Sequence, residues 1–296
     1  MKVWIDDGLR EGDAASVPVR DHGLLYGDGV FEGIRVYARR VFRLDAHLER
    51  LSLGARAVGI ELPGGLERMR HVVLETARAF CGDGGDDAYV RLIVTRGDGP
   101  LGVDPGECGA PRVICMVDAL ALFSDEQRRR GLALVTVSQR RPTPDVLDPR
   151  IKSLNYMPSV LARREARLAG ADDALLLNRD GCVAEASVAN VFAYRGGVLR
   201  TPSPLDGALE GITRESVLDL AAGLGVPCSV ERLGRLDLLG ADEVFLTGTG
   251  IEIAAVRSLD HVPIGSGREG EAIPGPLTRK LDAAFGDLTR SSGTPL

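Results

Sequence analysis

Short runs of β-branched and aromatic residues bounded by Gly or Asp alternate along this chain with longer stretches in which apolar residues recur at helical spacing. Strand patterns cover residues 3–5, 16–19, 30–37 and 41–44. Asp45 stands where a helix cap is expected, ahead of Leu48, Leu51, Ala55 and Val58 at helical spacing, and Gly59 ends that pattern. A second helix is expected over about 66–80, with Leu66, Met69, Val73, Ala77 and Phe80 on one side, followed by strands at 88–95 and 112–117. A sheet carrying two helices, an α+β unit over residues 1–118, accounts for this rhythm.

Residues 119–131 lose the rhythm, carry Arg128-Arg129-Arg130 and read as an interdomain linker. Beyond it the pattern gives a strand at 132–138, a loop at 140–150 with three prolines, a helix at 158–169 and a strand at 174–177. Asn178-Arg179-Asp180-Gly181 and Gly196-Gly197 are hairpin turns by composition. Strands at 188–194 and 198–201, a helix at 213–224, and strands at 228–231 and 243–247 complete a second, larger unit over 132–296, whose tail after Arg290 is expected to be disordered. There is no internal repeat.

Composition narrows the function classes. The 296 residues are 44% apolar, enough for a sizeable core, and the net charge of −6 is dispersed, which argues against a nucleic-acid partner. Cys81, Cys108, Cys115, Cys182 and Cys228 are odd in number and lack metal-ligand spacing, so they read as reduced thiols without a metal site. No apolar run approaches the roughly 18 residues that span a bilayer, and a cytoplasmic, membrane-free protein is expected.

Against that background one residue type is conspicuous. Of 36 basic residues only Lys2, Lys152 and Lys280 are lysines. Arginine serves wherever a cation is merely solvated or paired, but only lysine can lose its proton near neutrality and attack a carbonyl. Lys152, in Arg150-Ile151-Lys152-Ser153-Leu154-Asn155-Tyr156, is therefore a candidate nucleophile, although a lysine can also survive drift towards arginine by chance. Gly211-Ile212-Thr213-Arg214 opens a helical pattern and could bind an anion through helix N–H groups, or Thr213 could be a plain cap. Thr247-Gly248-Thr249-Gly250 could be an anion nest or a simple turn. Glu185 reads either as a strand-edge carboxylate or as a counter-charge for a protonated ring nitrogen. Tyr89 and Arg91 share a strand face and suit a carboxylate or an ordinary sheet-surface pair, while His47 and Arg50 share a helix face that can point inward. His22 beside Asp21 lacks the companion motif of a nucleophilic serine.

Taken in order, Asp21-His22-Gly23-Leu24-Leu25-Tyr26-Gly27, the Lys152 segment, residues 185–192, Leu209-Glu210-Gly211-Ile212-Thr213-Arg214, Gly248-Thr249-Gly250 and Gly275-Pro276-Leu277-Thr278 give a chain that resembles the fold type IV pyridoxal-phosphate enzymes, and most closely the branched-chain aminotransferases. The resemblance implies a homodimer or higher homo-oligomer with a small antiparallel α+β N-terminal domain and a larger pseudo-barrel C-terminal domain. It implies pyridoxal 5'-phosphate as cofactor, and transamination of leucine, isoleucine and valine with 2-oxoglutarate. By position, Lys152 is similar to the Schiff-base lysine, Glu185 to the partner of the ring nitrogen, and Tyr156 to the tyrosine at the ring oxygen. Arg50, Ile212, Thr213 and Thr249 match the phosphate-binding positions. Tyr26, Phe31, Tyr89, Arg91, Thr249 and Gly250 match substrate-binding positions. Lys152-Ser153-Leu154-Asn155 and Val94-Thr95-Arg96-Gly97 are also similar to D-amino-acid aminotransferases, and the former to aminodeoxychorismate lyases, which stand as alternatives.

Overall fold

A computed structural model describes residues 1–82, 85–119, 124–265 and 273–296. The chain divides into two compact units: Met1–Leu120 with Ile151–Asn155 and Leu288–Leu296, and Ala121–Arg150 with Tyr156–Asp287. Two stretches assigned from sequence to the C-terminal domain, Ile151–Asn155 and Leu288–Leu296, thus cluster with the first unit.

The first unit is built on an antiparallel sheet of β1 (Lys2–Ile5), β2 (Gly8–Glu11), β3 (Gly29–Tyr37), β4 (Arg40–Val41), β5 (Ala88–Thr95), β6 (Arg112–Asp118) and β16 (Thr294–Pro295), in the order β16-β4-β3-β5-β6-β1-β2. Helix α1 (His22–Tyr26) precedes β3, and α2 (Leu44–Ala57) and α3 (Gly65–Gly82) follow β4. Strand alternation sends Val30, Ile34, Val36, Val90, Leu92 and Val94 into one core with Leu48, Leu51, Met69, Val72 and Val73 of the helices.

Several expectations for this unit are corrected. Residues 16–19 form no strand; Gly8–Glu11 pairs with β1 instead. Asp45 does not cap α2, whose N-cap is Arg43 at φ 49°; Asp45 lies in the first turn and pairs with Arg70. The tail is ordered: Thr294–Pro295 pairs with β4, and the Leu296 N–H donates to the Arg39 carbonyl at 3.0 Å. Apolar Leu296 packs on the first core, which outweighs the polar residues before it.

The second unit carries α4 (Asp125–Arg130), β7 (Leu132–Arg140), α5 (Met157–Leu168), β8 (Asp173–Leu177), β9 (Val183–Ala186), β10 (Asn190–Arg195), β11 (Val198–Pro202), α6 (Ile212–Gly223), β12 (Cys228–Glu231), α7 (Arg235–Leu239), β13 (Glu243–Gly248), β14 (Glu252–Leu259) and β15 (Val262–Pro263), with α8 (Pro276–Ser291) last. Its sheet runs β12-β11-β10-β13-β14-β7-β8-β9, with β15 on β14. The β11–β12, β14–β7 and β7–β8 pairs are parallel and the others antiparallel. Edge strand β9 returns against β10 and β11, so the sheet curls towards closure, the pseudo-barrel expected.

Part of the expected linker is helical: Ser124 caps α4 through a reciprocal capping box with Gln127. The expected 188–194 strand starts two residues later, at Asn190, and β9, with Glu185 at its centre, was not anticipated.

Candidate active site

On β3, strand β4 reaches only Val36 and Tyr37, leaving the first residues of β3 without a described strand on that side. The Lys152 segment fills the gap. Phe31 N–H donates to the Lys152 carbonyl at 2.9 Å, Leu154 N–H donates to the Gly29 carbonyl at 3.0 Å, and Val30 bridges Ser153. A side chain at Gly29 would meet Leu154 Cδ1 at 2.7 Å and the Val94 carbonyl at 2.8 Å, so glycine there permits the close approach. Lys152 is thereby fixed by backbone pairing, with Nζ 4.8 Å from the centre of the Phe31 ring.

Phe31 also receives Arg91, whose guanidinium carbon is 4.6 Å from the ring centre. Arg91 Nη2 donates to the Tyr89 hydroxyl at 3.1 Å. Gly33 lies across from Arg91 in the β3–β5 register, and a Cβ there would stand 2.1 Å from the Tyr89 hydroxyl. One sheet face thus gathers Phe31, Tyr89, Arg91 and Lys152, four of the residues singled out from sequence. Tyr26 is engaged elsewhere: its ring meets His22 edge-on at 4.9 Å and its hydroxyl accepts from Gly102 N–H at 3.0 Å.

On the helical side of the sheet, Glu32 is fully buried. Arg50 donates to it through Nε and Nη2, each at 2.7 Å, and His47 Nδ1 lies 2.7 Å from the same carboxylate. Burial alone would raise the Glu32 pKa, but the Arg50 charge and hydrogen bonds from Arg50 and His47 hold it down at about 2. Burial pushes the His47 pKa below its ordinary value, against the pull of Glu32, with Arg50 and Lys152 adding to the depression. His47 and Arg50 do point inward. Glu32, which orients Arg50, was not singled out, although its place between Val30 and Ile34 was a visible signal. His22 is no part of a triad: Cys108 Sγ lies 3.2 Å from Nδ1 and the Pro100 carbonyl 3.0 Å from Nε2, while Asp21 holds Gly23 N–H, Thr95 and Arg112.

In the second unit Glu185 sits on β9, 3% exposed, and is enclosed by donors. Arg141 Nη2 forms an ion pair with Oε1; Leu209 N–H donates to Oε2 at 2.9 Å and Asn190 Nδ2 lies 3.3 Å from it. Asn190 also donates to the Leu209 carbonyl at 2.8 Å, and a Cβ on Gly211 would collide with Asn190 Oδ1 at 2.0 Å. This packing delivers the start of α6 beside Asn190. Its N-cap is Gly211, without a side-chain cap; Thr213 is the second helical residue and buried, so the plain-cap reading of Thr213 does not hold. Thr249 and Gly250 form the turn from β13 to β14, and the Thr247 hydroxyl, fully buried at the end of β13, has no hydrogen-bond partner among the described residues. Tyr156 is the N-cap residue of α5.

Arg141 escaped the sequence reading. Its doublet with Arg140, ahead of Pro142 and Pro144, looks like a solvated loop. Burial disfavours its charged form, offset in part by Tyr156. Gly207, at φ +110°, leaves room for the Arg141 Cβ, which an added side chain would approach to 3.0 Å.

The sequence profile of the family Amino-transferase class IV matches residues 29–259. The chain belongs to this family. A Methanocaldococcus jannaschii protein provisionally named branched-chain-amino-acid aminotransferase is 43% identical over 293 residues, covering 99% of this chain and 98% of its own. The branched-chain-amino-acid aminotransferase of Pseudomonas aeruginosa is 35% identical, covering 97% and 92%. Among solved structures, the branched-chain aminotransferase of Thermoproteus uzoniensis with norvaline superposes with a TM-score of 0.89 at 34% identity, covering 98% of this chain and 95% of that one.

Proposed function

We propose that this protein is a pyridoxal 5'-phosphate-dependent aminotransferase that exchanges the amino group of leucine, isoleucine or valine with 2-oxoglutarate. The observation that carries the reading is the cluster on the β3–β5 face, where the Lys152 amine, an aromatic wall and an arginine share one ring, that of Phe31. Full-length likeness to branched-chain aminotransferases supports the substrate class.

The donor set suits the cofactor. The start of α6 has no side-chain cap, which leaves its amide N–H groups for a phosphate, and the buried Thr247 hydroxyl, two residues before Thr249, is without a partner among the described residues. Ile212, Thr213 and Thr249 would hold the phosphate with Arg50, whose guanidinium Glu32 keeps in place. Tyr156 would donate to the ring oxygen, and Glu185, enclosed by Arg141, Asn190 and the Leu209 amide, would keep the ring nitrogen protonated. When bound, pyridoxal phosphate supplies an electron sink for negative charge at the substrate Cα.

Lys152 would hold the cofactor through its amine, and once the substrate amine had displaced it, the free Nζ would move the proton to and from the substrate Cα. Phe31 shields that amine from water on one side. Arg91 and Tyr89 receive the distal carboxylate of glutamate or 2-oxoglutarate, and Phe31 provides apolar surface for a branched side chain. Backbone N–H groups at Thr249 and Gly250 receive the α-carboxylate. The protein works in the cytoplasm as a homodimer; free cysteines support that compartment, and among the described residues no helix is long and apolar enough to cross a membrane.

Borohydride reduction of the holoenzyme followed by peptide mass spectrometry tests the nucleophile, with label expected on Lys152. Label on Lys2 or Lys280 overturns the assignment. A donor panel tests the substrate: L-leucine with 2-oxoglutarate should turn over, whereas activity confined to D-alanine, or pyruvate release from aminodeoxychorismate, selects one of the alternatives of the same fold.

A further inference from the structure

Beside α5, within the second unit, lies a cavity of about 470 Å³, in the size range of small-molecule sites. Two of the hydroxyls that line it are anomalous. Ser159 and Ser187 are 3% and 1% exposed, and among the described residues neither Oγ has a hydrogen-bond partner. A buried hydroxyl left unpaired is destabilising, and finding two on one cavity points to a ligand that satisfies them.

The rest of the lining indicates the ligand's chemistry. Arg164 and Arg167 line the cavity, and among the described residues neither has an acidic partner. Arg163, also on the lining, has its guanidinium 2.9 Å from Asp173 and so brings no comparable excess charge. Val160 and Val188, both substantially exposed, add apolar surface with the Tyr156 ring. Cationic groups, orphaned hydroxyls and an aliphatic wall together match an oxyanion head on a short apolar body. Glu185, Thr213 and Thr249 do not line this cavity, so it is distinct from the positions assigned above to the ring nitrogen and phosphate, sharing only Tyr156 with them.

We propose that this cavity is a second ligand site that binds a small aliphatic carboxylate, with Arg164 and Arg167 on the carboxylate, Ser159 and Ser187 as hydrogen-bond donors, and Val160 and Val188 against the alkyl chain. The ligand class is that of the substrates and products in the proposed reaction, an assignment that rests on that reading, and Tyr156 would be a wall shared by this site and the cofactor.

Calorimetric titration of the holoenzyme with 4-methylpentanoate tests the site. Because this acid also has the carbon skeleton of leucine, binding is measured as well in enzyme whose substrate pocket is filled by the borohydride-reduced leucine–cofactor adduct, and one saturable event should survive there. That event should weaken roughly tenfold or more in Arg164→Gln/Arg167→Gln, since charge-assisted contacts are lost. Ser187→Ala should weaken it too while raising the melting temperature of the ligand-free holoenzyme, because an unpaired buried hydroxyl is removed. Absence of a saturable event in the adduct-filled enzyme, or its persistence unchanged when that enzyme carries both arginine substitutions, overturns the proposal. Equal binding of 4-methylpentan-1-ol removes the case for an anionic head, and equal binding of inorganic phosphate removes the case for an apolar body. Aminotransfer itself is measured separately, so failure of one reading does not disguise failure of the other.

Discussion

Arg141 and Glu185 form an ion pair in which both partners are largely withdrawn from water. Removing one member of such a pair strands the other, a larger effect than the net worth of the pair. Arg141→Met should therefore destabilise the protein by about 3 kcal/mol and weaken cofactor retention, read by urea denaturation and by dialysis. In a Glu185→Gln background the same substitution should cost much less; equal losses in both backgrounds would show that Arg141 acts through something other than Glu185. Lys152 was legible in the sequence because a near-absence of lysine made it stand out, and Glu185 because an acid sat among small apolar residues. Arg141 was not: pairing across 44 positions leaves no local trace.

The Glu32–His47–Arg50 group makes a second prediction at this scale. His47 has a folded-state pKa below its ordinary 6.5, so below that pH the unfolded chain takes up a proton that the folded chain refuses, and stability falls with pH. Glu32 titrates at about 2 when folded against 4.5 otherwise, so its contribution is complete above 4.5 and is lost as pH falls towards 2. Protection factors of β3 and α2 amides, with the intrinsic exchange rate at each pH divided out, should fall in two stages on acidification, beginning near pH 6.5, and His47→Gln should abolish the first stage alone. A single stage below pH 4.5 in the parent protein would remove His47 from the account.

At the scale of elements, the site depends on what β3 leaves open. A two-residue β4 exposes the first half of β3, the Lys152 segment occupies it, and β5 lays Tyr89 and Arg91 on the face that carries Phe31. Gly33→Ala tests this arrangement. The new methyl would stand 2.1 Å from the Tyr89 hydroxyl, which must swing away and leave Arg91. Overall stability should change little, because the end of a side chain can move, but the KM for 2-oxoglutarate should rise roughly tenfold for one lost hydrogen bond to a charged group. An unchanged KM would mean that Tyr89 does not orient Arg91. Elements with clean periodicity were readable: the 88–95 strand matches β5, and both long helices of the first unit fall where spacing placed them. Strand β14 was missed because Glu252–Leu259 is almost wholly buried and contains two alanines, which erases the alternation. Strand β9 was missed because four residues, Val183–Ala186, are too few to show a period.

The whole molecule has to solve one problem that no single element states: its substrate pocket must admit an aliphatic side chain in one half-reaction and a carboxylate in the other. A permanently exposed cation would repel the first, and a wholly apolar wall would reject the second. Arg91 lies over Phe31 and is tied to Tyr89, so its charge is delocalised against aromatic faces and its guanidinium presents apolar as well as polar surface. The two half-reactions should therefore respond differently to its loss. If Arg91 receives the distal carboxylate as proposed, Arg91→Ala removes the charged partner of 2-oxoglutarate, a deficit of about 3 kcal/mol or roughly a hundredfold in kcat/KM. Leucine, with no distal charge, should lose less than about tenfold, an effect of packing alone. Single-turnover absorbance of the bound cofactor reads each half-reaction separately. Equal impairment of both halves would assign Arg91 to the α-carboxylate or to the cofactor, and would move the search for the acceptor's anchor to another residue.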